Sequence, residues 1–230
     1  MGVSGTSSFA LPFDDLIDEA LSRVGGEPMG GTDDGKLALR SFNLMMTDWQ
    51  NRGVGLWTLE TSIVSTTTSV NTITIGGDTL DVLGVVVRRS GVDTAMTRLS
   101  FEEYLEIPNK TQTGKPSQFF LDRQRAAPVF NLYMSPENST DALVYWKVRF
   151  IQDAGKLAND PDLPRRFWPA AVSGLAYYVA QKRLALDDPT RLNTLTYMKM
   201  EYEGDLKRAM EEDRERTSVI LRPKLRGGWR

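Results

Sequence analysis

The sequence holds no cysteine and no histidine in 230 residues. Without cysteine there is no disulfide, no thiolate nucleophile and no zinc–thiolate site. Without histidine the metal–imidazole sites go too, and with them the side chain that titrates near neutrality. An acid–base enzyme built on this chain would need a shifted carboxylate or lysine. The lack of cysteine fits a reducing compartment. No apolar run nears the ~20 residues of a membrane span, so none is expected. The opening MGVSGTSSFALPF lacks a basic stretch followed by an apolar core, so no signal peptide is expected. A strong charge of one sign is missing as well. With 28 bases against 30 acids, the net charge is -2, which gives no whole-molecule attraction to nucleic acid.

What is present is ordinary for a globular protein: 40% apolar and 25% charged residues. Phe13, Leu16, Ile17, Ala20, Leu21 and Val24 recur at helical spacing, with Pro12, Asp14 and Asp15 at the start and Gly25-Gly26 at the end. After the loop GGEPMGGTDDG, a second helix reads KLALRSFNLMMTDWQNRG, with Ala38, Phe42, Met45 and Trp49 on one face and Gly53 as its stop. From Trp57 the period shortens. SIVSTTTSVNTITI, LDVLGVVVRR, TAMTRLS, QFFLD, VFNLYM and ALVYWKVRFI read as strands, separated by turn chemistry such as GGD, TGKPS, RAAP and SPENSTD. SFEEYLEI opens with the capping box Ser100 and Glu103, so it predicts a short helix. Helical spacing returns at Trp168, Val172, Leu175 and Val179. A last helix, capped by Asp188 and opened by Pro189, carries the stripe Leu192, Leu195, Met198, Tyr202, Leu206 and Met210 to about Arg216. No internal repeat is visible.

The order is two helices, a β insertion, two helices and an arm. Packing the two distant helix pairs together buries both apolar faces. The expected fold is therefore α+β: a four-helix bundle from two N-terminal and two C-terminal helices, with an inserted antiparallel β domain and an extended C-terminal arm. The expected boundaries are 1–56 with 156–216 for the bundle, 57–155 for the β domain and 217–230 for the arm.

Motifs for chemistry are weak. GGTDDGK fits G-x-x-x-x-G-K, but a helix precedes it, Leu37 follows it, and Asp33 and Asp34 would repel phosphate. A flexible loop with a cap is the better reading. Asp14/Asp15, Glu102/Glu103 and Asp187/Asp188 sit where helix N-termini favour negative charge, and Glu211, Glu212 and Asp213 read as a solvated face. A hydrolase needs two carboxyls facing across a cleft, so a carboxylate-based cell-wall hydrolase is the runner-up and an unspecified binding module the third reading. Ser173 lacks the G-x-S-x-G setting and a base; with Gly174 and Ala176 it suits close helix approach. Asn138-Ser139-Thr140 reads as a turn rather than a glycan acceptor. Trp49, Trp57, Phe119, Phe120, Trp146, Phe167, Trp168, Tyr177 and Tyr178 lie mostly on apolar faces and read as core rather than a base-stacking platform. No catalytic, cofactor-binding or metal residues are expected.

The final segment RTSVILRPKLRGGWR resists a bland reading. EYEGDLKRAMEED carries six acids against two bases, whereas the following stretch carries Arg214, Arg216, Arg222, Lys224, Arg226 and Arg230 against Glu215 alone. Disordered tails are poor in apolar and aromatic residues, yet this one has Val219, Ile220, Leu221, Leu225 and Trp229. Pro223 holds Arg222 extended. Such a segment suits an arm that orders on a partner surface, where Trp and Arg are favoured anchors.

With LIDEALSRVGGEP, NLMMTDWQNRGVGLWTLE, TLDVLGVVVR, SFEEYLEIPNKTQTGKPSQFFLDRQ, VFNLYMSPE and DLPRRFWPAAVSGLAYYVAQKR in this order, the chain resembles the head-to-tail adaptor proteins of short-tailed phages, the class of tail tubular protein A and the tail accessory factors. The resemblance covers about residues 10–216. It implies a homo-oligomeric ring, typically of twelve copies, beneath the portal protein at the head–tail junction of the virion, with a tail nozzle or tail tube protein below and DNA passing through the lumen without sequence-specific binding. It further implies that the arm docks in the portal. The docking residues would then be Arg216, Val219, Ile220, Leu221, Arg222, Lys224, Leu225, Arg226, Trp229 and Arg230.

Overall fold

The computed structural model describes residues 9–25, 32–156, 159–183 and 189–213. The fold is α+β. Its helices are α1 (Phe13–Val24), α2 (Thr32–Asn51), α3 (Phe101–Leu105), α4 (Trp168–Arg183) and α5 (Pro189–Glu212). Its strands are β1 (Leu59–Ser65), β2 (Thr72–Thr74), β3 (Thr79–Arg89), β4 (Val92–Ala95), β5 (Thr97–Arg98), β6 (Thr113–Gly114), β7 (Gln118–Asp122), β8 (Val129–Tyr133), β9 (Ser135–Pro136) and β10 (Ala142–Arg149). The described residues form two compact units. One holds 9–15, 32–156 and 159–162; the other holds 16–25, 163–183 and 189–213, so the division falls inside α1.

In the first unit, β1-β10-β3-β4 form an antiparallel sheet, and β2-β8-β7-β5 form a second, antiparallel except that β5 joins β7 parallel. Alternation along the strands supplies each sheet with one inward apolar face. Val85, Val87, Leu143 and Tyr145 of the first sheet meet Phe119, Leu121, Phe130 and Leu132 of the second in one core. Phe130 is edge-on to both Phe119 (5.5 Å) and Tyr145 (5.3 Å), the preferred arrangement for aromatic quadrupoles. α2 buries Ala38, Phe42, Met45, Met46 and Trp49, and Phe13 packs edge-on against Phe42 at 4.8 Å. The end of α2 is a Schellman motif: Val54 N donates to Trp49 O and Gly53 N to Gln50 O, with Gly53 at φ 77°.

In the second unit, α4 is apolar on nearly every side, and Ala170 to Ala176, Val179 and Ala180 are buried. Ala180, Leu195 and Met198 form a cluster closed by Val24 and Tyr177, and Tyr177 stacks on Tyr202. Ser173, Gly174 and Ala176 are buried, and the Ser173 hydroxyl donates to Pro169 O. α5, 24 residues and so about 36 Å long, begins at Pro189 as expected; its extension to Arg216 lies outside the described residues.

Four local expectations are corrected. α2 begins at Thr32, so Thr32 to Lys36 form its first turn rather than a loop; Asp34 there favours the positive helix end. SIVSTTTSVNTITI is two strands in different sheets, β1 beside β10 and β2 beside β8. TAMTRLS divides likewise between β4, β5 and the cap of α3. Among the aromatics, Trp146 is 42% exposed rather than core, because Tyr145 takes the inward face of β10.

Candidate docking surfaces

All ten expected docking residues, Arg216 to Arg230, lie outside the described residues. What is described is the point they leave from. Asp213 follows α5, its side chain is 7% exposed, and it is ion-paired with Arg166 of the Arg165–Phe167 turn. An acid just past a helix C-terminus opposes the helix dipole, and Arg166 offsets it. Arg23 of α1 reaches Glu201 on α5 at 3.2 Å.

Several carboxylates of the first unit are held by cations. Arg149 grips Asp162 with two N–H groups (2.5 and 3.1 Å) and Glu60 with a third (2.7 Å). Asp162 also accepts from the Trp57 indole through its carbonyl. Buried Lys147 donates to Asp78 at 2.5 Å, with Glu60 at 3.9 Å. Arg89 clamps buried Asp141 and exposed Glu137. Its guanidinium is shifted up, first by the Asp141 bond and then by Glu137. Arg149 is likewise shifted up, chiefly by its bond to Asp162.

These arrangements fasten loops rather than poise a reaction. Among the described residues, the carboxyls that depart from their ordinary range all move down: Asp78 through Lys147, Asp93 through Arg88, and Glu103 through the Ser100 backbone N–H. A glycosidase-type acid needs the opposite shift. Asp14 and Asp15 sit in the first turn of α1, and Glu102 and Glu103 in that of α3. Asp187 and Asp188 fall outside the described residues. Asn138 accepts from Thr140 N and Asp141 N, an Asx turn. Among the described residues no group of three acidic side chains could hold a metal, and no helix is long and apolar enough to cross a membrane.

Sequence reasoning missed a surface. The outward face of β1-β10-β3 is apolar as well as the inward one. In register, Leu59, Thr61 and Ile63 lie beside Val148, Trp146 and Val144. A bulge between Trp146 and Lys147 pairs Trp146 with Gly84 and Lys147 with Val82, leaving Leu83 as the extra residue. Ile63 and Leu83 are each 61% exposed. Leu59, Leu83, Gly84 and Trp146 line a groove of about 260 Å³. A side chain at Gly84 would meet the Trp146 ring at 3.9 Å, so glycine leaves room beside the indole.

On the other side of the sandwich, α3 lies over the outward residue of β7. Phe120 touches Tyr104 (5.6 Å, stacked) and Phe101 (5.8 Å). The capping box is present: the Ser100 hydroxyl accepts from Glu103 N at 3.2 Å, and the Glu103 carboxylate accepts from Ser100 N at 2.7 Å. Phe101 and Leu105, one turn apart on α3, are 58% and 55% exposed.

Paired carboxylates with apolar patches on two opposite faces suit a protein that works by contact. Comparison with curated proteins gives no match. The family described as SU10 adaptor protein matches over residues 11–224, which takes in both units and nearly the whole chain. The chain therefore belongs to the SU10 adaptor protein family, the phage head–tail adaptors.

Proposed function

We propose that the chain assembles into a ring, of twelve copies, between the portal protein and a tail nozzle or tail tube protein. Family membership already makes it a structural phage adaptor of the virion that associates with portal and tail proteins. In the ring, α1, α2, α4 and α5 form a four-helix bundle (1–56 and 156–216), with the β domain (57–155) on the tail side. The arm, 217–230, orders against the portal through its basic and apolar residues, Arg222 and Trp229 foremost. The lumen passes DNA by weak, sliding contact, with which a net charge of -2 is compatible.

The observation that carries this reading is the match over residues 11–224. The apolar and basic composition of Arg216 to Arg230 supports the arm. Electron microscopy of the full chain mixed with portal rings from its own phage tests it. A stack of adaptor density on the portal, at one fixed stoichiometry, is the expected result. Portal rings left bare at saturating adaptor would overturn it.

A further inference from the structure

We propose that neighbouring copies join head to tail through the β sandwich, with α3 of one copy seated in the Leu59–Leu83–Trp146 groove of the next. This rests on the ring reading and gives it a surface.

The two sheets share one core, so their outward faces point in opposite directions. Antiparallel sheets of this kind expose a polar outer face. Here the outer face of β1-β10-β3 instead presents Leu59, Ile63, Leu83 and Trp146. The opposite side, over β7, presents Phe101 and Leu105 on α3. Both patches are exposed large apolar surface, the mark of an interaction site.

Which occupant fits follows from their difference. One patch is concave, a groove at the bulge lined by Leu59, Leu83, Gly84 and Trp146. The other is convex, two side chains one turn apart on a short helix. A twofold dimer would press like on like; a convex patch on a convex patch buries little. Convex into concave is complementary, and the two sit on opposite faces of one sandwich with a shared core. A heterologous contact between opposite faces propagates in one direction, and when its rotation closes it makes a ring.

Charge agrees with shape. Glu102 on α3 and Glu106 just past its end, both exposed, flank Phe101 and Leu105. Asp81, which lines a hollow with Leu59 and Leu83, is met by two arginines that reach it from β5 and from just past β7, Arg98 at 3.0 Å and Arg123 at 3.8 Å, one acid against two bases. Arg98 also donates to Val82 O, beside Leu83.

The chain lacks cysteine, so each introduced thiol is the only one present. Full-length Leu83→Cys and Leu105→Cys chains are mixed at high concentration, oxidised, and resolved by mass. Arg125→Cys, in the exposed segment between β7 and β8, sets the rate of random collision. A docked pair holds its thiols at millimolar effective concentration or above, so the mixed dimer should form more than about tenfold faster than any pair with the control. The double variant Leu83→Cys/Leu105→Cys should give a ladder of covalent oligomers. Ile63→Cys in place of Leu83→Cys gives a second reading should one variant fold poorly by circular dichroism. Predominant Leu83→Cys homodimers, or mixed dimers no faster than the control, overturn the proposal. Rings on the portal without the cross-link sink this contact and leave the ring reading standing. Cross-linked ladders that end in filaments, with bare portals, sink the ring reading and leave the contact.

Discussion

Lys147 and Asp78 are bonded to each other in unlike surroundings: the ammonium is buried and the carboxylate half exposed. Removing either one is therefore not equivalent. Asp78→Asn leaves a buried cation with Glu60, at 3.9 Å, as its nearest remaining acid, and a buried charge deprived of its close partner is costly. Lys147→Met keeps the stem volume and lets two half-exposed carboxylates rehydrate. We expect Asp78→Asn to cost about 2 kcal/mol in urea unfolding and Lys147→Met less than half of that. Equal losses would contradict the argument. The same pair sets an acid limit. The hydrogen bond from Lys147 holds Asp78 below its ordinary pKa. Its stabilisation is therefore complete above the unfolded value of about 3.9 and is lost as pH falls through the lower folded value. Stability measured from pH 6 down to pH 2 should fall more gently in Asp78→Asn than in the parent chain.

At the scale of elements, two ends of helices were legible in the sequence, and both give tests. Gly53 stops α2 in a left-handed conformation with open space where a side chain would go. The cost of Gly53→Ala is therefore conformational, about 1 kcal/mol, with no clash added; a thermal melt should show it. Ser100 caps α3 by both bonds of the capping box. Ser100→Ala should cost about 1 kcal/mol and speed hydrogen exchange at the Glu103 amide, while exchange in β7 and β8 stays slow. Faster exchange throughout the sandwich would mean that α3 is part of its core rather than a cover. The pairing of strands was not legible. Thr61 to Ser65 and Thr72 to Thr74 alternate alike, and nothing local says that one run joins β10 and the other β8. Trp146 was misread for a related reason. In β10 both faces are apolar, and period-two alternation marks which residues share a face without marking which face is inward. The bulge at Leu83 that makes the groove depends on register between distant strands, which no single segment carries.

At the scale of the whole molecule, the arm was legible as composition only. Its expected contribution is multiplied by copy number. A chain ending at Asp213 retains the Arg166 pair that closes α5 and should keep its melting temperature. It should also lose portal binding; retained binding would move the docking site elsewhere. Trp229→Ala gives the sharper test. A buried aromatic anchor is worth about 1–3 kcal/mol in one interface. In a single arm peptide, the substitution should weaken portal binding by the corresponding factor of about 5 to 150. In an assembled ring, each added arm binds intramolecularly at an effective concentration set by its neighbours, so small losses per arm compound into a far larger loss of avidity. Binding of the arm peptide and of the full chain to the same immobilised portal rings separates the two. If the full chain loses no more than the peptide does, the arms act singly, and the portal is held by some surface other than a ring of arms.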